Sequence, residues 1–195
     1  MIQIFPQLTK IPLPMKKIAV VIGHDKTSPG AYSPYLGQSE YIYNSEVATH
    51  LSKIADIYKR PAGGGYKTKM INLANEINKK DYDLVVELHF NSFNKDANGC
   101  EALIFKGNSY TEKVGQKFCD LITKEYDTKS RGVKDISQQN ERGYWFLALM
   151  KADAMILEPF FGDNEESLKF SDPGKYADVL AKILIMANSP QLKIN

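Results

Sequence analysis

Four side chains of the sequence have the types and positions that a catalytic metal site needs. His24 and His89 each follow a short apolar run of the kind that forms a buried strand. Glu40 and Glu158 add two carboxylates. Two imidazole nitrogens and one carboxylate oxygen are the ligand set of a catalytic zinc whose fourth position is open to water. The sequence therefore indicates a Zn2+ site at His24, Glu40 and His89, with Glu158 as a nearby general base.

Each of these residues also has an ordinary structural interpretation. A histidine at a strand end is often half-buried and held by a hydrogen bond, and an acid in the first turn of a helix stabilises the helix dipole. The metal site is favoured because the same design occurs twice, once at residues 17–24 and again at residues 83–89. The carboxyl ends of strands are also where open α/β sheets place their ligands.

Glu40 begins a helix that we predict to run to about Tyr58, with Ser39 as its N-cap. At about 100° per residue, three apolar residues fall within roughly 40° of Glu40 around the helix axis, namely Val47, Leu51 and Ile54. This places Glu40 on the stripe that packs against the sheet, which is unusual for a carboxylate. The same arithmetic turns Glu46 away from that stripe and puts His50 on the flank or surface.

The remaining elements alternate between strands and helices. We predict strands at residues 17–22, 57–61, 83–88, 100–106 and 152–157, and helices at about 67–80, 109–126 and 173–187. Residues 127–143 are polar and rich in turn formers. This alternation is typical of a single three-layer α/β domain, which we assign to residues 15–195 after a loosely ordered extension at residues 1–14.

Composition excludes several classes of partner. The formal charge is +2, from 25 Lys and Arg against 23 Asp and Glu, which is too balanced to indicate nucleic-acid binding. No apolar run is long enough to insert into a membrane, and residues 1–14 lack the features of a signal peptide. We expect a monomer. For Cys100 and Cys119 the sequence leaves a disulfide open as an alternative, but we favour two small buried hydrophobic residues.

Taken together, the motifs resemble those of the type 3 N-acetylmuramoyl-L-alanine amidases, zinc enzymes of cell-wall and phage lysis. The resemblance extends over roughly residues 17 to 188, and the matching segments occur in the family's order and at its distances. They are Gly23-His24 after an apolar strand, Glu40 with Tyr43-Asn44 and Ala48, His89-Phe90-Asn91-Ser92, and Leu157-Glu158-Pro159-Phe160 with Phe161 and Asn164.

The resemblance implies a mixed, mainly parallel, twisted sheet flanked by helices. It also implies His24, Glu40 and His89 as zinc ligands and Glu158 as the catalytic acid and base, acting on the bond between the lactyl group of N-acetylmuramic acid and L-alanine in peptidoglycan. Asn91 is a candidate donor to the substrate or an amide that fixes its loop.

Two segments depart from the family pattern. Asp25 and Lys26 stand where the family commonly has glycines, which affects the shape of the loop. Glu87 stands where the family often has a small residue. By strand alternation Glu87 points to the same side as His89, so it is either a hydrogen-bond partner of that ligand or a rival for Glu40. Some regulated members of the family insert a helix before the last strand that blocks the zinc. Residues 127–143 look too short and polar to form such a helix, so we expect the metal site to be open and unregulated.

Two other functions stay open from the sequence alone. One is a zinc peptidase that cuts within the stem peptide, and the other is a non-catalytic domain that binds the cell wall. Retention of all four polar residues argues against the second. For location, we expect synthesis in the cytoplasm and action on the wall, as for a phage lysin, or else a chain whose export signal has been removed.

Overall fold

The computed structural model describes residues 17–187, which form a six-stranded sheet between two layers of helices. The strands are β1 Ile18–Ile22, β2 Tyr32–Ser33, β3 Gln38–Ser39, β4 Asp56–Lys59, β5 Leu84–Leu88, β6 Cys100–Phe105, β7 Ser130–Ile136 and β8 Asp153–Glu158. The helices are α1 Glu40–Leu51, α2 Tyr66–Ile77, α3 Ser109–Tyr126, α4 Tyr144–Leu149 and α5 Pro173–Ala187, with a 3-10 turn at Glu165–Phe170. The sheet has the order β4-β1-β5-β8-β6-β7, while β2 and β3 form a separate two-stranded ribbon.

The central strands are apolar because both faces of the sheet are covered. Every residue of β1 and β5 is buried. Side chains of α1, α3 and α5 pack on one face, and those of α2 and α4 pack on the other. The predicted three-layer α/β fold with a mixed, mainly parallel sheet is therefore confirmed.

Strand direction decides which residues meet at the functional end of the sheet. Strands β4, β1, β5 and β8 pair in parallel, so their carboxyl ends share one edge. Strand β6 pairs antiparallel with β8, so its first residues lie at that same edge. The register places Glu101 of β6 directly opposite Glu158, the last residue of β8. An acid at the start of one strand thus joins side chains that follow the ends of the others.

One predicted boundary was wrong and one strand was missed. Helix α1 ends at Leu51 instead of about Tyr58, because the chain turns there and the N–H of Ile54 bonds the carbonyl of Leu51 at 3.0 Å. Residues Asp56–Lys59 form strand β4 at one edge of the sheet instead of extending the helix. Residues 127–143 contain strand β7, which lies at the opposite sheet edge and exposes most of its side chains, so its sequence lacks an apolar signal.

Cys100 and Cys119 are buried free thiols, as predicted. Across residues 17–187, no helix combines the length and the apolar character needed to cross a membrane. The extension predicted at residues 1–14 lies outside the described residues.

Candidate active site

His24 follows β1 at a point where the backbone packs closely against β5. Gly23 follows β1, and its N–H bonds the carbonyl of Leu88 at 3.0 Å, which ties the ends of β1 and β5 together. A Cβ atom at Gly23 would lie 2.6 Å from Nε2 of His89, so only glycine allows this close approach. His24 itself has a φ of 66°, a left-handed conformation that non-glycine residues seldom adopt outside turns and functional sites.

Glu40 lies between the two histidines. Its Oε2 is 3.1 Å from Nε2 of His24, and its Oε1 is 2.6 Å from Nδ1 of His89. The carboxylate also accepts backbone N–H groups from Ala31 at 3.2 Å and Phe90 at 3.0 Å. Burial by itself would raise the pKa of Glu40, but the charge of His89 and hydrogen bonds from both histidines bring that pKa well below its ordinary value. Glu40 is therefore a fixed, ionised acceptor at the start of α1.

The second nitrogen of His89 faces a different carboxylate. Nε2 of His89 lies 3.2 Å from Oε2 of Glu87, which is completely buried. Arg60, which follows β4, donates from Nη2 to Oε1 of Glu87 at 2.6 Å. Burial works against a charged imidazole, but Glu87 and Glu40 together raise the pKa of His89 to about 10. In the protein without metal, His89 is the cation between two buried acids.

The donor set fits a metal ion. Ligand atoms of His24, Glu40 and His89 all lie within 4.8 Å of one another. Donors about 2.0 to 2.2 Å from a tetrahedral zinc stand roughly 3.3 to 3.6 Å apart. The separation of 3.1 Å between Nε2 of His24 and Oε2 of Glu40 is close to this value, whereas the 2.6 Å between Nδ1 of His89 and Oε1 of Glu40 is a hydrogen-bond distance that must lengthen when a metal binds. Gly30 borders this cluster, and a Cβ there would lie 2.5 Å from Oε2 of Glu40 and 2.7 Å from Cδ2 of His24. The chain thus leaves just enough room for these three side chains to converge.

Glu158 lies in the same cleft and has a partner that sequence reasoning missed. Nη1 of Arg142 donates to both carboxylate oxygens of Glu158, at 2.8 and 2.9 Å. Burial raises the pKa of Glu158 above its ordinary value, although Arg142 acts in the opposite direction. A buried carboxylate with an elevated pKa suits proton transfer near neutral pH.

The cleft has a volume of about 340 Å³ and is lined by residues from both sheet-end loops and helices. Its wall includes all four residues singled out in the sequence, His24, Glu40, His89 and Glu158. It also includes Tyr66, Leu103 and Ile156, which give it an apolar side. A cleft of this kind, with few convergent polar groups on an apolar lining, is typical of a small-ligand or substrate site.

The predicted site residues come together, but the set was incomplete. His50 is exposed and outside the cluster, as expected. Asn91 hydrogen-bonds Arg142 through Oδ1 at 2.8 Å and Glu101 through Nδ2 at 2.7 Å, so its amide fixes this part of the site. Three participants were missed, Arg60, Glu101 and Arg142. A signal for Glu101 was present, since it is an acid near the start of an apolar strand.

Comparisons with known proteins identify the family and support the fold. The sequence model of the family described as N-acetylmuramoyl-L-alanine amidase matches residues 18–187. Among solved structures, the catalytic domain of the CD27L endolysin targeting Clostridia difficile is similar, with a TM-score of 0.72 and 24% identity, over 89% of this chain and 99% of that one. No curated protein sequence gives a significant match.

Two further structures share the fold. Cwp6 from Clostridium difficile has a TM-score of 0.69 and 22% identity, over 88% of this chain but only 28% of its own length. The putative N-acetylmuramoyl-L-alanine amidase from Neisseria meningitidis has a TM-score of 0.63 and 23% identity, over 88% of this chain and 94% of that one.

Proposed function

The chain belongs to the N-acetylmuramoyl-L-alanine amidase family, and we propose that it is a zinc-dependent hydrolase of peptidoglycan. The bond cleaved is the amide between the lactyl group of N-acetylmuramic acid and L-alanine. One observation carries the proposal: the ligand atoms of His24, Glu40 and His89 converge within 4.8 Å, in one cleft with buried Glu158. The same proposal includes a lysin-type role in degrading the cell wall.

The three converging residues are the proposed metal ligands. His24 binds through Nε2 and His89 through Nδ1, because these are the nitrogens that face Glu40. When bound there, zinc supplies Lewis acidity, which acidifies an attacking water and polarises the scissile carbonyl. The backbone N–H groups of Ala31 and Phe90 hold the Glu40 carboxylate in place for this role.

Glu158 is the proposed proton carrier. It is buried at the carboxyl end of β8, and as a carboxylate it accepts the proton of the attacking water. The same group then returns that proton to the amine of L-alanine, which leaves as a neutral amino terminus. A single acid–base residue serves both steps because its pKa is raised toward neutrality by burial.

Digestion of purified peptidoglycan tests the reaction directly. The expected products are glycan strands that carry free lactyl carboxylates and stem peptides with new L-alanine amino termini, identified by mass spectrometry. New amino groups on a residue further along the stem would instead identify a peptidase. Binding to the wall without any soluble product would identify the non-catalytic binding domain.

A further inference from the structure

Arg142 contacts Glu158, but the proposed reaction assigns it no role. Its Nη1 donates to both oxygens of Glu158 and also to Oδ1 of Asn91 at 2.8 Å. Its Nη2 donates to Oε1 of Glu101. One guanidinium therefore links the proposed acid–base residue to a second buried carboxylate.

The second buried carboxylate, that of Glu101, lies next to Glu158 in the sheet. Glu101 stands opposite Glu158 across the antiparallel pair of β6 and β8, and both side chains are buried. Like charges placed directly opposite each other destabilise a sheet unless cations lie between or beside them. Arg142 lies between the two acids, and Nε of Arg131 contacts the far oxygen of Glu101 at 3.0 Å. Two arginines thus compensate two carboxylates, but only Arg142 contacts Glu158.

The backbone around Arg142 is held firmly. The carboxylate of Glu141 accepts the N–H groups of Ser137 at 2.7 Å and Gln138 at 2.6 Å, which closes the turn before Arg142. Gly143 follows with a φ of 79°, and a Cβ there would overlap Cδ1 of Ile156 in the sheet. The turn therefore packs directly on the strand ends and presents Arg142 from a fixed position, although half of its side chain is exposed.

We propose that Arg142 is the positioning residue for Glu158, whose carboxylate it orients and keeps ready to accept a proton. The inference rests on the acid–base role proposed for Glu158 above. A proton acceptor must be ionised when substrate binds, whereas burial and the neighbouring charge of Glu101 both favour the protonated form. Arg142 is the cation in direct contact with Glu158 and opposes this; His89 acts in the same direction where it is charged, in the protein without metal.

The titration of Glu158 itself tests the inference without any need for catalysis. The full chain is labelled with 13C at glutamate carboxyls, supplied with zinc, and titrated by NMR, with Glu158→Gln used to assign the signal. Arg142→Met should move the titration midpoint of Glu158 upward by at least about one pH unit, a tenfold change in its protonation equilibrium. Arg142→Lys keeps the charge and should recover most of that shift.

Arg131→Met is the matched control, because it removes an arginine from the same cluster that contacts Glu101 but not Glu158. Its effect on the Glu158 midpoint should be less than half that of Arg142→Met. An unchanged midpoint in Arg142→Met would overturn the inference, and so would equal shifts in the two variants.

Kinetics separate this inference from the proposed function. In Arg142→Met the ascending limb of kcat/KM should move to higher pH by the same amount as the NMR midpoint, with Arg142→Lys between that variant and the unmutated protein. A uniform loss at every pH would indicate a merely structural arginine and would contradict the inference. Failure of the unmutated protein to release L-alanine amino termini would overturn the proposed reaction, whereas the NMR titration would still decide the role of Arg142.

Discussion

Nε2 of His89 lies 3.2 Å from Oε2 of Glu87, two residues earlier in the chain. Because Nδ1 of the same ring faces Glu40 at 2.6 Å, the two nitrogens of His89 have separate partners. This is the arrangement in which a carboxylate orients a metal-binding imidazole through its outer nitrogen. The sequence left Glu87 open between such a partner and a rival ligand, and we propose that it is the partner because it faces the nitrogen of His89 that points away from Glu40.

Replacing Glu87 should weaken metal binding without abolishing it. In Glu87→Gln a neutral amide faces Nε2 of His89, and the negative charge that strengthens the imidazole as a ligand is lost. We expect zinc affinity to fall about tenfold to a hundredfold, as is typical when such outer partners are changed. Zinc competition against a chromophoric chelator measures the change.

The matched comparisons for this prediction are on α1. Glu40→Gln removes a proposed ligand and should lose far more affinity than Glu87→Gln. Glu46→Gln changes an exposed acid on the same helix and should leave affinity unchanged. Retention of zinc by Glu40→Gln together with its loss from Glu87→Gln would reverse the ligand assignment.

The histidines allow a cleaner test of the metal site, because the chain has only three of them. The purified protein should hold about one zinc ion and lose activity to a chelator. His24→Ala and His89→Ala should each abolish stoichiometric binding, since each removes one of three ligands. His50→Ala, on the exposed side of α1, should bind zinc normally. Elemental analysis after gel filtration gives the result, and a metal-free but fully active protein would eliminate the site.

The sequence predicted the parts of the site that follow general strand and helix rules. His24, His89 and Glu158 were found because apolar strands end at polar residues, and Glu40 because its position falls on a buried stripe. Glu101, the second residue of β6, was missed because the prediction considered residues that end apolar strands, and nothing local to that segment shows that β6 runs antiparallel to β8.

The arginines were missed for a different reason. Arg60 and Arg142 enter the site from an edge strand and a polar turn, where charged residues are ordinarily exposed to solvent. Their roles depend on compensating the buried charges of Glu87, Glu101 and Glu158, which is a tertiary effect. The periodicity of the sequence does not indicate which distant cation compensates the charge of a buried acid.

Glu158 should be separable from metal binding. Glu158→Gln keeps the shape of the side chain and a hydrogen-bond acceptor for Arg142, so the protein should fold and bind zinc as before. Loss of general acid and base assistance should lower kcat by about 10² to 10⁴, because Glu158 is the group proposed to accept and return the proton. Release of L-alanine amino termini is the assay. A rate within about threefold of the unmutated enzyme, less than roughly 0.7 kcal/mol of barrier, would show that Glu158 is not the base.

Gly30 and Gly37 provide a matched pair for testing how closely the metal ligands are packed. Both lie in the segment between β1 and α1, Gly30 before β2 and Gly37 in the turn between β2 and β3, and both have positive φ, 79° and 68°. They differ in surroundings, since a Cβ at Gly30 would lie 2.5 Å from Oε2 of Glu40, whereas one at Gly37 meets nothing within 4 Å. Only the first substitution therefore forces a ligand to move.

Gly30→Ala should lose both stability and metal affinity, whereas Gly37→Ala should lose only stability. A non-glycine residue in the left-handed region costs about 1 to 2 kcal/mol, so both variants should show a reduced free energy of unfolding in urea. In Gly30→Ala the new methyl group displaces the Glu40 carboxylate or the His24 ring, and an affinity loss of at least tenfold is expected, since metal sites tolerate only small errors in ligand position. Zinc competition on the two folded variants measures this difference. Equal zinc affinities would mean that the loop yields without disturbing the ligands, and that the close packing around Glu40 is not needed for metal binding.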